Sequence, residues 1–110
     1  MVDPVVHIDI SGPEEAVQHR FYAELFGWTV ESRGPGYALV RTGDDGPNGA
    51  LIEAETASVT IGIAVSDLDE SVQRAVALGG SVVMPSTDNG WVVKAQVSDP
   101  AGNVVTLIQA

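Results

Sequence analysis

The chain has 110 residues, 45% of them hydrophobic, no cysteine, and fifteen acids against five bases for a net charge of −10. That length suits one domain with a modest core, and the even spread of apolar residues excludes a disordered chain. No apolar run reaches the eighteen or so residues of a membrane span, missing thiols exclude disulfides and zinc–cysteine sites, and the negative field disfavours nucleic acid and anionic lipid as partners. The opening Met1-Val2-Asp3-Pro4 lacks the basic and apolar stretches of a signal peptide, so a cytoplasmic protein is expected. An anionic ligand would depend on Arg33, Arg41 or Lys94, because Arg20 and Arg74 fall on predicted helices.

The first strand is read from Pro4 to Ser11, with Val6, Ile8 and Ile10 on one face and His7 and Asp9 on the other. Pro13-Glu14-Glu15 then opens a helix, since proline suits the first turn and acids offset the dipole. Val17, Phe21 and Leu25 recur every four residues as its apolar stripe, which leaves His19 on the opposite, solvated side. Gly27 stops the helix. Short strands follow at Trp28–Arg33, Tyr37–Thr42 and Ala50–Ala54, separated by Gly34-Pro35-Gly36 and by the turn from Gly43 to Gly49. In that turn Asp44-Asp45-Gly46 resembles a fragment of a calcium loop without its later ligands.

After a junction at Glu55-Thr56-Ala57-Ser58 the pattern recurs. A strand at Val59–Val65 leads to Asp67, an N-cap with Glu70 three residues on. Leu68, Val72, Ala75 and Val76 form the buried stripe of the second helix, and Gly79-Gly80 ends it. Strands near Ser81–Met84, Trp91–Val97 and Val104–Gln109 complete the set, the last two joined by the bend Asp99-Pro100-Ala101-Gly102-Asn103. A unit repeated in this way lacks a closed core alone and packs against its sister. The expected fold is α+β: two tandem βαβββ modules, residues 1–56 and 57–110, forming curved mixed sheets around a cleft, with the helices outside.

Five stretches in this order resemble the vicinal oxygen chelate superfamily of glyoxalases, bleomycin-resistance proteins and extradiol dioxygenases, and its small bacterial glyoxalase-like branch in particular. They are Val6-His7-Ile8-Asp9-Ile10, Phe21-Tyr22 with Leu25-Phe26-Gly27-Trp28, Val65-Ser66-Asp67-Leu68-Asp69, Leu78-Gly79-Gly80, and Asp99-Pro100-Ala101-Gly102-Asn103. The resemblance implies metal ligands on the first and last strands of each repeat. His7 occupies one such position, Thr60 and Thr106 occupy two more, and Glu53 is the candidate for the fourth. Hydroxyls are poor ligands for divalent metals, so no cofactor is expected beyond a weakly held divalent ion near His7.

His7 and Asp9 point the same way, and a carboxylate that orients an imidazole makes a proton-transfer pair. The plainer alternative is that both line a wet groove. Thr60, Gly62, Thr106 and Gln96 would line and orient a ligand, or reflect only the strand preference of threonine. Trp28, Tyr37 and Trp91 offer flat walls for a planar ligand, or else cap the core or fill a dimer contact. Two functions follow: a lyase or isomerase of the glyoxalase type acting on a small carbonyl metabolite, with His7 and Asp9 catalytic, or a ligand-sequestering protein built on the three aromatics. A homodimer is expected in either case.

Overall fold

The structure is a computed structural model that describes residues 2–110. Among the described residues, eight strands and two helices follow the expected order, and the chain divides into two compact units. One comprises His7–Thr60; the other gathers residues 61–110 with the N-terminal stretch up to Val6.

In the first unit, which takes β1 (Val5–Gly12) from His7 onward, the strand leads to α1 (Glu15–Phe26), then β2 (Thr29–Ser32), β3 (Tyr37–Arg41) and β4 (Asn48–Glu53). The strands lie in the order β2-β3-β4-β1; β4 runs parallel to β1 and antiparallel to β3. A strand–helix crossover demands such a parallel return, and the short turns make the other pairs antiparallel. Ala38, Val40 and Leu51 form the buried centre under α1, with Ile10, Tyr22, Trp28 and Val30 packed on them. Gly49 lets β4 lie tight against β1, since a Cβ there would stand 2.5 Å from the Ile8 carbonyl oxygen.

The second unit repeats the plan with β5 (Ser58–Val65), α2 (Leu68–Ala77), β6 (Ser81–Asp88), β7 (Val93–Ser98) and β8 (Val104–Gln109), ordered β5-β8-β7-β6. Val65, Leu68, Ala95, Val97 and Leu107 are its buried core, with Val72 and Ala75 from α2 against them. Asp67 caps α2 as expected, its Oδ1 accepting the Glu70 N–H at 3.1 Å.

Helix α1 departs from the sequence reading. Its Val17, Phe21 and Leu25 stripe turns outward, with 59%, 53% and 60% of those residues exposed. The sheet-facing side is instead Glu15, Gln18, His19, Tyr22 and Ala23, so His19 is half-buried rather than solvated. Two contacts with residues outside the helix hold this rotation. Tyr22 stacks on Trp28, ring centres 5.4 Å apart and planes within 6°, and Glu53 at the end of β4 holds the first turn. Its Oε2 accepts the Glu14 N–H at 2.7 Å and its Oε1 the Glu15 N–H at 2.8 Å, satisfying donors that a helix start leaves open. Gln109, the last residue of β8, does the same for α2. Its Oε1 accepts the Leu68 N–H at 2.9 Å while its Nε2 donates to the Ser66 carbonyl at 2.8 Å.

Candidate functional site

Cross-strand partners share a sheet face, so the register assigns every residue to the helix side or the open side. In the first unit, the open side carries one row Thr29–Arg41–Asn48–His7 and a second Glu31–Leu39–Ala50–Asp9. Tyr37, Ile52 and Ser11 form a third. His7 and Asp9 thus lie on the open face, both half-buried, and the structure brings them together: His7 Nε2 is 2.8 Å from Asp9 Oδ1. A carboxylate accepts only, so Nε2 carries the proton donated to Asp9, and in the neutral tautomer Nδ1 holds the lone pair. The pair can therefore orient an imidazole whose basic nitrogen is free for a ligand.

Tyr37 shares that face in the third row and stands half-exposed at the start of β3. Trp28 does not share it. It lies on the helix side, stacked on Tyr22 and with its ring centre 5.2 Å from that of Phe26. In the second unit the open face carries the row Gly62–Thr106–Gln96–Met84. Thr106 is buried, 4% exposed, and its Oγ1 accepts the Gln96 Nε2–H at 3.2 Å. Thr60 is half-buried and, two residues before Gly62, points to that strand's same face. Trp91 stands away from these residues, 91% exposed in the β6–β7 turn, where Asn89 Oδ1 accepts both the Trp91 and Val92 N–H groups.

Glu53, the acid considered for the fourth metal position, turns out to face the helix side and is committed to the start of α1. Ala50 precedes Glu53 by the step that separates Thr106 from Gln109, so the closing strand of the first repeat presents a methyl group at the matching place. Taken unit by unit, the matching positions are His7, already engaged by Asp9, the Ala50 methyl and the Thr60 hydroxyl in one, and the Thr106 hydroxyl in the other. Neither set by itself fits a divalent metal. Among the described residues, no three His, Asp or Glu side chains gather as a metal site.

Asn48 was missed by the sequence reading, which placed it in the turn before β4. It is the first residue of that strand and the direct neighbour of His7. Asn-Gly favours tight turns, and that local signal masked the strand start.

Two strand–helix–three-strand units, each closed by a parallel return strand, define a protein of the tandem βαβββ class. The chain belongs to the glyoxalase-like domain family, whose model matches residues 5–108. Among curated proteins it is 30% identical over 116 residues to CFP32 of Mycobacterium bovis and Mycobacterium tuberculosis, provisionally named a glyoxylase. That match covers 94% of this chain but only 44% of the relative's length. Among solved structures it is similar to a glyoxalase/bleomycin resistance protein/dioxygenase superfamily member from Vibrio splendidus. The TM-score is 0.76 at 17% identity, covering 99% of this chain and 100% of that one. It also resembles methylmalonyl-CoA epimerase from Mycobacterium tuberculosis, with TM-score 0.73, 17% identity, and coverage of 96% and 86%. A Mn(II)-bound glyoxalase from Novosphingobium aromaticivorans gives TM-score 0.72 at 15% identity, covering 98% of this chain and 40% of that one. At such identities these likenesses speak to the fold. Among the described residues, no helix is long and apolar enough to cross a membrane.

Proposed function

We propose that this glyoxalase-like protein takes a small carbonyl metabolite on the open sheet face and moves a proton on it through His7 without a bound metal. The observation that carries the reading is the 2.8 Å contact between His7 Nε2 and Asp9 Oδ1, which leaves Nδ1 as an oriented base. Nδ1 would accept the proton of a hydroxyl-bearing carbon beside the carbonyl, forming the enediolate and an imidazolium held by Asp9; return of that proton to the former carbonyl carbon, with the hydroxyl proton passing to the other oxygen, exchanges the carbonyl and hydroxyl positions. The reaction class is that of an isomerase or lyase. Within the same unit Thr60 supplies a hydroxyl suited to hydrogen-bonding such a ligand.

The test is turnover of methylglyoxal with glutathione, alongside other enolisable carbonyl compounds, with metal analysis of the purified protein. We expect His7→Ala to abolish turnover with the melting temperature preserved; full activity in that variant would remove His7 from the chemistry. Stoichiometric metal in the purified protein would overturn the metal-free reading. The fully exposed Trp91 supports a second reading, a ligand-sequestering protein that stacks a planar molecule. Under it, binding of aromatic ligands weakens in Trp91→Ala while His7→Ala is silent.

The partner is proposed to be a second copy of the chain. The outward stripe of α1 is apolar, and the Arg20–Glu24 pair beside it, Nε to Oε2 at 2.6 Å, offers one charge of each sign. An antiparallel two-fold pairing brings Arg20 of each copy towards Glu24 of the other.

A further inference from the structure

We infer that the hollow beside the open-face row of the first unit is a carboxylate subsite, with Arg41 as its charged anchor. The inference rests on the open-face ligand reading above and deepens it: the ligand is a small monocarboxylate. The hollow, about 370 Å³, is lined by Thr29, Arg41 and Asn48 from adjoining strands, by Phe26 and Trp28, and by the β3–β4 loop with Asp44. That volume falls in the range of small-molecule sites. The loop is held by a hydrogen bond from Thr42 Oγ1 to the Pro47 carbonyl, 2.7 Å, so its rim is set before a ligand arrives.

Charge singles out the anion. Five cations serve a chain of net charge −10. Arg20 is paired with Glu24, and Arg33 with Glu31 at 3.4 Å. Arg74 sits in the last turn of α2, where a cation complements the dipole, and Lys94 lies on β7 in the other unit. Arg41 has no acidic partner among the described residues and borders the hollow. A guanidinium can clamp a carboxylate with two parallel hydrogen bonds, and the Asn48 amide and Thr29 hydroxyl stand on its two flanking strands to add more. Asp44 in the same wall opposes a second negative charge, so the site suits a monoanion over a phosphate dianion. Phe26, 55% exposed, and Trp28 provide the apolar side.

Geometry ties the subsite to His7. Arg41, Asn48 and His7 are successive members of one cross-strand row, which separates the Arg41 and His7 backbones by two strand spacings, roughly 10 Å. A ligand of a few carbon atoms, its carboxylate on Arg41, thus lays its other end along Asn48 towards the imidazole.

The experiment is a backbone-amide NMR titration of the full chain with acetate, pyruvate and benzoate, each against its neutral amide. We expect the carboxylates to shift Thr29, Arg41, Gly43 and Asn48, the amides to bind far more weakly, and Arg41→Gln to weaken carboxylate binding about tenfold or more, as loss of a charge-assisted pair should. Arg74→Gln, which removes a cation that does not line the hollow, should bind the carboxylates as the parent does. Equal binding of acid and amide, undiminished binding in Arg41→Gln, or no carboxylate perturbing these amides would each overturn the subsite. The two readings fail separately. A His7→Ala enzyme that keeps full turnover removes the proton transfer and leaves the subsite, whereas carboxylate indifference beside an inactive His7→Ala does the reverse.

Discussion

Replacing Glu53 by alanine tests whether a strand residue closes the α1 helix. Its carboxylate takes two backbone N–H groups at 2.7 and 2.8 Å, and Glu14, the N-cap residue, has φ 58 and makes no capping bond of its own. Losing a helix cap costs about 0.5–2 kcal/mol, and an acid at a helix start adds about 0.3–1 kcal/mol through the dipole. Glu53 is exposed and shares its surroundings with Glu14 and Glu15, so screening and like charge trim the total to about 1.5 kcal/mol. At about 4 °C per kcal/mol for a domain of this size, Glu53→Ala should melt about 6 °C below the parent. Glu53→Gln keeps one acceptor oxygen and should fall between. Circular dichroism melts read the shift directly, and turnover should be untouched because Glu53 faces the helix side. An unchanged melting temperature with lost activity would refute the reasoning and return Glu53 to the site.

Further expectations are independent of that one. Asp99 is held below its ordinary 3.8 by the Asn103 side chain, then by the backbone N–H groups of Asn103, Ala101 and Gly102; its contribution is complete above 3.8 and is lost as pH falls through the lower folded value. Asp99→Asn should therefore be less stable at neutral pH, with the gap closing in acid, as urea midpoints at the two pH values would report. Gly49→Ala forces a methyl group onto the Ile8 carbonyl oxygen and should cost about 1–3 kcal/mol in denaturant unfolding. Phe21→Glu places a charge in the outward α1 stripe and should shift the chain to a monomer by sedimentation at unchanged secondary structure.

The repeat was legible because strand alternation, glycine stops and the Asp67 cap are local signals, and all reappear in the structure. The setting of α1 was not. Periodicity reveals that Val17, Phe21 and Leu25 share a stripe, but the side that faces the sheet is decided by Trp28 and Glu53, which lie outside the helix. For the candidate site, strand parity predicts the shared direction of His7 and Asp9 and places them on the open face. The row that carries Arg41 and Asn48 beside His7 needs the register of β3 and β4, and no single strand contains it. Trp28 shows the same limit: its type suits a ligand wall, and its stack on Tyr22 follows only from where the helix lies.

The anchors at Glu53 and Gln109 also order events in time. Glu53 reaches back 38 and 39 residues to its partners, and Gln109 reaches back 41 to Leu68. The Glu14 and Glu15 N–H groups of α1 and the Leu68 N–H of α2 gain these partners only when the final residue of the closing strand in the same repeat has been synthesised and docked. A chain cut just before Gln109 would keep α1 latched while α2 frays from its beginning.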